Sequence, residues 1–307
     1  MYGTFVKSDT CFYRTFRIKK ELCSSNNGAV YMAWHKRLRR YVVIKVLKDY
    51  SAGSLETHCN EFEAIKNIKS QYIPQVFDFI TENNNSYTII EYIEGESFDK
   101  LLKRGHVFTE KQIVKWYIQL VSALVVIHTH NICHRDIKPA NIILTSKDDV
   151  CLIDFGSAYV SGNNTGIISQ SMGYASPEQY EYFNHCKSIY GNENKVFANN
   201  DETVLLAHDC KTETAPVENI HISNELEKID WKLSDIYSLG ATMYYLLTGN
   251  RPPVRSEEIV CVPKLKRYSK ELLDIIKKSM KTNPSERYVS VEDIEKTLFS
   301  LQVIDSF

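Results

Sequence analysis

The sequence predicts an α+β protein of two lobes, in which a small antiparallel β-sheet with one helix precedes a larger, mainly helical part. Two observations support this division. The first ~90 residues are rich in strand patterns, and the apolar residues follow a helical period after Gly95. We therefore expect an N-terminal lobe at residues 1–94 and a C-terminal lobe at residues 95–307, with an insertion at about 181–226 in the second lobe.

The first lobe is predicted to contain two strand pairs and a helix. Residues 30–34 and 41–47 are β-rich runs around the basic turn HKRLRR, which is typical of a hairpin. Residues 75–80 and 87–92 are joined by the turn-forming run ENNNS and form the second pair. Between the pairs, apolar residues recur at a spacing of three over residues 62–68, which indicates a helix.

The second lobe is predicted to be helical outside the insertion. Thr109 and Gln112 form a T-x-x-Q capping box, and the apolar residues behind it mark one face of a long helix. Residues 235–247 are apolar nearly all round, which indicates a buried helix, and residues 269–301 carry two more amphipathic helices. The insertion is polar, rich in Asn and Glu, and without clear periodicity, so we expect a long loop there.

The composition is that of a soluble globular protein. The chain has 307 residues, of which 43% are hydrophobic, and a formal net charge of -1, which gives no argument for nucleic acid as a partner. The start has no signal-peptide pattern, and the longest apolar run, residues 116–128, is too short to span a bilayer. Eight scattered cysteines without a C-x-x-C pair favour a reducing compartment, so we expect a cytoplasmic protein. The oligomeric state stays open.

Two motifs at a fixed spacing carry the strongest chemical signal. The run HRDIKPAN occupies residues 134–141, and Asp154-Phe155-Gly156 begins thirteen residues after it ends. Together they resemble the catalytic loop and the metal-binding loop of protein kinases. The resemblance extends from about residue 16 to residue 301, apart from the insertion. It implies the two-lobed protein kinase fold, with ATP and Mg²⁺ as cofactors and proteins as substrates.

The resemblance assigns the catalytic roles to four side chains. Asp136 would accept the proton of the attacking hydroxyl, and Lys138 would stabilise charge on the transferred phosphoryl group. Asn141 and Asp154 supply hard oxygen ligands, which Mg²⁺ prefers. A lysine at position 138 resembles serine/threonine kinases rather than tyrosine kinases.

A lysine and a glutamate of the first lobe complete this assignment. Lys45, in the run VVIK, matches the strand lysine that holds the α- and β-phosphates of ATP. Glu61 matches its partner on the helix that follows. Glu63 is the competing choice, but the apolar positions after Glu63 fall out of step with the family.

The phosphate-binding loop departs from the family pattern. Cys23 and Gly28 lie where the family has the first and third glycines, and only the third glycine remains. Because glycine lets backbone amides approach a phosphate closely, weaker nucleotide binding is one expectation. Val43 replaces the usual alanine above the adenine and narrows that slot.

The remaining adenine contacts follow from register with these motifs. Val30 would lie above the base and Ile143 below it, while Glu91 and Ile93 in the hinge would offer main-chain hydrogen bonds. A plain core-strand interpretation explains the same apolar residues equally well.

Four further residues are assigned supporting roles. Ser171 would bridge the catalytic aspartate and lysine through its hydroxyl group. Glu178 and Arg287 would form a buried ion pair, and Asp235 would brace the backbone of the catalytic loop.

A regulatory phosphate is a further expectation. Arg135 precedes the catalytic aspartate, and in the family this arginine often pairs with a phosphate on the activation segment. We therefore expect autophosphorylation at Thr165 or Ser169. A polar loop that carries no phosphate remains an equal alternative.

The sequence leaves two alternative functions and one possible metal site to compare with this assignment. A pseudokinase would explain the missing glycines but not the intact catalytic residues, and a small-molecule kinase would lack the SPE and SDIYSLG segments seen here. Zinc binding by the insertion is disfavoured because its histidines and cysteines match no compact spacing. Those residues are His185, Cys186, His208, Cys210 and His221.

Overall fold

The computed structural model of the protein covers most of both lobes. It describes residues 11–24, 28–47, 62–63, 65–82, 85–161, 167–190, 195–199, 203–207, 229–252 and 267–304. These residues confirm the predicted α+β class, with an antiparallel sheet at the N-terminal end and helices after it.

The first lobe is built on a five-stranded antiparallel sheet in the order β1-β2-β3-β5-β4, preceded by the short helix α1 (Cys11–Thr15). Its strands are β1 (Phe16–Ser24), β2 (Gly28–His35), β3 (Arg40–Leu47), β4 (Val76–Glu82) and β5 (Asn85–Glu91). Both predicted strand pairs are confirmed. Burial alternates along β2 and β3, as the two-residue period of a strand requires, so alternate side chains form a core under one face.

Helices and short strands make up the second lobe. The helices are α2 (Phe98–Lys103), α3 (Glu110–Thr129), α4 (Pro177–Tyr190), α5 (Trp231–Thr248), α6 (Lys270–Ser279) and α7 (Val291–Ile304). The strands are β6 (Gly95–Ser97), β7 (Ile132–Cys133), β8 (Ile142–Thr145), β9 (Val150–Leu152), β10 (Tyr159–Val160), β11 (Ile167–Ser171), β12 (Lys195–Asn199) and β13 (Thr203–Ala207).

Helix α3 runs through the centre of the large core. The predicted capping box is present, since Thr109 accepts from the backbone N–H of Gln112 and the Gln112 side chain accepts from the backbone N–H of Thr109. The helix is long and apolar enough to cross a membrane, but 61% of its most apolar window is buried inside the lobe. Trp116 and Tyr117 are fully buried, so its apolar character is explained by the core.

Helix α5 is the second central helix. Asp230 caps its first turn by accepting from the N–H of Lys232, and Gly249 ends it in a left-handed conformation with φ of 67°. It begins four residues before the predicted stretch, at Trp231, and is buried on nearly every side. Its position matters because it lies directly beneath the catalytic loop.

Two short strand pairs bring the motif residues together. Strand β7 precedes the catalytic loop and pairs with β10, which follows Asp154-Phe155-Gly156. Strands β8 and β9 pair between the two motifs, and β6 adds to β8 from the hinge side. Because these paired strands flank both loops, the catalytic loop and the metal-binding loop lie next to each other.

The expectation of a long loop in the insertion was wrong for its described part. Helix α4 continues to Tyr190, and β12 and β13 then form an antiparallel pair. Strand β13 also pairs with β11, which lies 32 or more residues earlier in the chain. The apolar runs VFA and VLLA are too short to show a period, and their partner is distant in sequence, so no local pattern predicted this sheet.

Candidate active site

The carboxylate of Asp136 lies at the centre of the site and is held by three donors. Lys138 Nζ donates to it over 2.8 Å, Asn141 Nδ2 over 3.0 Å, and the hydroxyl of Ser171 donates to its other oxygen. All four side chains are buried. The bridging role predicted for Ser171 is confirmed, since its hydroxyl also accepts from Lys138 at 3.2 Å.

The backbone of the catalytic loop is fixed from below by Asp235. This fully buried carboxylate accepts the N–H groups of His134 and Arg135, each at 2.8 Å, and lies 2.9 Å from the ring nitrogen of His128. Arg135 adopts a φ of 60°, a region that costs a non-glycine residue free energy. The two hydrogen bonds from Asp235 stabilise this turn, which confirms its predicted bracing role.

The same aspartate belongs to a cluster with metal-ligand side chains. The ligand atoms of His128, Cys133 and Asp235 lie within 4.8 Å of one another, and all three residues are buried. Burial raises the pKa of the Cys133 thiol far above its usual value, so it stays protonated at neutral pH. Both oxygens of Asp235 accept hydrogen bonds, so the cluster acts as a structural brace.

Lys45 and Asp154 connect the two lobes across the cleft. Lys45 Nζ donates to Asp154 Oδ1 over 2.7 Å, although the residues are 109 positions apart. The Lys45 ammonium lowers the pKa of the Asp154 carboxyl well below its usual value, so this group is ionised at neutral pH. About half of the Asp154 side chain (47%) is exposed, and it therefore faces the cleft as an accessible carboxylate.

Asn141 and Asp154 fit a magnesium ion by their donor chemistry. The amide nitrogen of Asn141 is turned toward Asp136 by its hydrogen bonds to that residue, so its amide oxygen is the group left for a metal. Asp154 contributes a carboxylate whose Oδ1 accepts the hydrogen bond from Lys45, and its second oxygen is the one that would contact a metal. Oxygen ligands of this kind are those that Mg²⁺ prefers.

The predicted partner of Lys45 cannot be placed in the same way. Glu61 lies outside the described residues, and its assignment stays a prediction. Glu63, the competing choice, is described and forms an ion pair with Lys66 on the surface of the first lobe.

Four of the predicted nucleotide-binding residues share one face of the first sheet. In the strand register, Cys23 is opposite Val30, and Val30 is opposite Lys45, so the three form a row across β1, β2 and β3. Val43 precedes Lys45 by two positions and points to the same face. Partial burial raises the pKa of the Cys23 thiol, with a smaller effect from nearby Asp154, so the thiol stays protonated at neutral pH.

The retained glycine of the phosphate loop has a packing role of its own. A Cβ on Gly28 would lie 2.5 Å from the backbone oxygen of Val46, so only glycine lets β2 approach β3 at this point. The loop residues 25–27 lie outside the described part of the chain.

The hinge is held against the second lobe by close backbone contact. A Cβ on Gly95 would lie 2.2 Å from the oxygen of Leu144 and 2.7 Å from Ile143, so the chain passes directly over β8. The N–H of Glu91 donates to the oxygen of Gln75 at 2.8 Å. Because this N–H is engaged, any main-chain recognition through Glu91 uses its carbonyl group.

The structure also places the side chains of Glu91 and Ile93 in the hinge. The Glu91 side chain forms an ion pair with Arg40 at 3.1 Å. Ile93 follows β5 in the extended connection to β6 and is half-buried. Adenine binding by these residues remains a prediction.

The activation segment is anchored at its end by a bidentate ion pair. Arg287 donates to the two oxygens of Glu178 over 2.6 and 2.8 Å, as predicted, and the Arg287 side chain is fully buried. Gln179, which the sequence reasoning did not single out, donates from Nε2 to the carbonyl oxygen of Arg135 at 2.8 Å. Its only signal was its place directly after the SPE run.

The sequence profile of the protein kinase domain matches residues 16–198 of the chain, more than half of its length. The chain therefore belongs to the protein kinase family.

Curated relatives carry the names of serine/threonine kinases. The chain is 31% identical over 250 residues to a probable serine/threonine-protein kinase of Clostridium acetobutylicum, covering 79% of this chain and 31% of that protein. It is 27% identical to a probable serine/threonine-protein kinase of Clostridium perfringens, and the match covers 86% of this chain and 35% of that protein. It is 26% identical to a serine/threonine-protein kinase of Rattus norvegicus, and the match covers 91% of this chain and 53% of that protein. The chain thus spans 31% to 53% of the length of these relatives.

Proposed function

We propose that this chain is an ATP-dependent serine/threonine protein kinase that transfers the γ-phosphoryl group of ATP to hydroxyl groups of protein substrates. The observation that carries the proposal is the convergence of Lys138, Asn141 and Ser171 on the carboxylate of Asp136. The names of the relatives support the same activity.

Each side chain has a part in the transfer. The hydroxyl oxygen of the substrate forms a bond to the γ-phosphorus while the bond from that phosphorus to the bridging oxygen of ADP breaks. Asp136 accepts the hydroxyl proton as this happens, because the hydrogen bonds from Lys138, Asn141 and Ser171 hold its carboxylate in place. Lys138 stands 2.8 Å from Asp136 and stabilises the negative charge that spreads over the phosphoryl oxygens.

Two groups position the nucleotide. Asn141 and Asp154 would hold Mg²⁺, which neutralises phosphate charge when it is bound. Lys45 binds phosphate oxygens from the first lobe, and its contact with Asp154 keeps the two lobes aligned. Val30 and Val43 lie above the adenine and Ile143 below it, while Cys23 belongs to the phosphate-binding loop.

The finer parts of the proposal concern autophosphorylation and the location of the protein in the cell. We expect autophosphorylation at Thr165, which lies outside the described residues, or at Ser169 in β11. We also expect a cytoplasmic location, because the eight cysteines form no disulfide-like pattern in the sequence.

The test is phosphate transfer from γ-labelled ATP to a generic basic protein in the presence of Mg²⁺. Phosphoamino-acid analysis should show label on serine and threonine, and Asp136→Asn should remove nearly all of it. Asp293→Asn, a half-exposed surface position on α7, is the matched control and should keep full activity. ATP that raises the unfolding temperature without transfer would show a pseudokinase instead, and transfer only to small molecules would also contradict the proposal.

A further inference from the structure

Arg135, which precedes the catalytic aspartate, is buried over two aromatic rings. Its guanidinium carbon lies 5.5 Å from the ring centre of Tyr159 and 5.1 Å from that of Trp231. Only 3% of the residue is exposed, and its Nε donates to the carbonyl oxygen of Ser157 over 2.7 Å. We call Tyr159 and Trp231 the aromatic clamp.

The clamp acts from the two elements that fix the rest of the site. Tyr159 lies in β10, five residues after Asp154, so it moves with the metal-binding loop. Trp231 begins α5 and lies four residues, about one turn, before Asp235 on the same helix face. Helix α5 therefore holds Arg135 twice, since Asp235 accepts its backbone N–H and Trp231 contacts its guanidinium.

The charge of Arg135 makes these contacts energetically important. Burial lowers the pKa of its guanidinium to about 10, so the group still carries its positive charge at neutral pH. A buried cation is costly unless nearby groups compensate it. The negative faces of the two rings and the carbonyl oxygen of Ser157 supply part of that compensation.

We propose that Tyr159 and Trp231 are positioning residues for the phosphoryl transfer, which hold Arg135 and hence Asp136 in place without a phosphate on the activation segment. The inference rests on the proposed kinase activity. Because Arg135 is almost fully buried and its guanidinium lies over two rings, it offers little surface to an incoming phosphate oxygen. Phosphorylation at Thr165 or Ser169 therefore does not set the activity of this chain.

Ring deletion with a conservative rescue tests the role. Trp231→Leu and Tyr159→Leu should each lower kcat about ten-fold with little change in the KM for ATP, since the nucleotide contacts are untouched. Trp231→Phe and Tyr159→Phe keep a ring under the guanidinium and should keep most of kcat. Equal losses in the Leu and Phe variants, or a loss confined to KM, would overturn the role.

A matched control separates positioning from general stability. Phe183 is buried in the same apolar cluster as Trp231, whereas the aromatic clamp over the guanidinium consists of Tyr159 and Trp231. Phe183→Leu should lower the unfolding temperature and leave kcat unchanged. If Trp231→Leu fails to fold, Tyr159→Leu decides, because Tyr159 is only half-buried.

Removal of phosphate is the second arm. Wild-type protein treated with a phosphatase, with complete removal verified by mass spectrometry, should keep its kcat within about two-fold. A fall of about ten-fold or more would mean that a phosphate does the work assigned to the clamp.

Hydrogen exchange tests the clamp without any catalysis. In Trp231→Leu, amide protons of the peptide covering residues 132–141 should exchange faster than in wild type, while Phe183→Leu should leave them protected. Unchanged protection in Trp231→Leu would overturn the clamp even in an active enzyme. An inactive wild-type protein whose loop loses protection on ring deletion would instead count against the proposed function alone.

Discussion

The hydroxyl of Ser171 donates a hydrogen bond to the carboxylate of Asp136, 35 positions earlier in the chain. Ser171 also accepts from Lys138 and is 2% exposed, so the end of β11 is joined to both groups that act on the phosphoryl transfer. The activation segment is thereby coupled directly to the proposed base.

Loss of this hydroxyl should therefore slow the reaction. A hydrogen bond to a charged group contributes about 1.5–3 kcal/mol, so Ser171→Ala should lower kcat by roughly 10- to 100-fold. Ser171→Thr keeps a hydroxyl at the same place and should retain most of kcat. Steady-state kinetics with a generic protein substrate checks this, and equal activity of the Ala and Thr variants would show that the hydrogen bond is not used.

Breaking the buried ion pair between Glu178 and Arg287 should strongly destabilise the second lobe. Removing one member of a buried pair leaves the other charge uncompensated, and Arg287→Met should lower the free energy of unfolding by about 3–5 kcal/mol. Urea unfolding measures this change.

The neighbouring pair of Lys281 and Glu286 is the control for that experiment. Its side chains are 53% and 56% exposed and 3.6 Å apart, so Lys281→Met should change the free energy of unfolding by less than about 1 kcal/mol. Similar losses in the two variants would contradict the special weight given to the buried pair.

The strand pairing between the insertion and the activation segment should support activity. Strand β13 pairs with β11 along all five of its residues, and its first residue, Thr203, lies opposite Ser171. Replacing residues 195–207 with a short Gly-Ser linker removes this partner and leaves the backbone groups of β11 unpaired. We expect a lower kcat and faster proteolysis near residues 167–171, whereas a higher kcat would show that the hairpin inhibits the enzyme.

The pH dependence of nucleotide binding should depend on Lys45. Its ammonium lowers the pKa of Asp154, so in Lys45→Met that pKa rises and more of the carboxyl is protonated at a given acidic pH. A protonated carboxyl holds Mg²⁺ poorly, so the acid limb of kcat/KM for ATP should move to higher pH.

Lys66→Met serves as the control for this measurement, because Lys66 pairs with Glu63 on the surface of the same lobe. It should leave the pH profile unchanged. An acid limb that stays in place in Lys45→Met would mean that the pair does not control the ionisation of Asp154.

Local sequence patterns predicted the parts of the fold that depend on near neighbours. The capping box at Thr109 and the hairpin of β2 and β3 are set by residues within a few positions of each other. The contact of Lys138 with Asp136 spans two positions and follows from one motif. The pair of Lys45 and Asp154 is 109 positions apart, and only family resemblance placed those residues together.

Contacts that no motif encodes were not predicted. The pairing of β13 with β11 joins two five-residue strands whose paired residues are 32 or more positions apart. Trp231 contacts Arg135 from a helix that was predicted to begin four residues later, so its ring was not connected with the catalytic loop. In both cases the tertiary fold selects the partner, and the local pattern carries no record of it.

The base assignment of Asp136 is the central claim and has the most direct test. In Asp136→Asn the side chain keeps its shape and loses the ability to accept a proton, so kcat should fall by roughly 10²- to 10⁴-fold at an unchanged unfolding temperature. The measurement is kcat of this variant and wild type at saturating ATP, Mg²⁺ and protein substrate. A folded Asp136→Asn enzyme with near wild-type kcat would contradict the account.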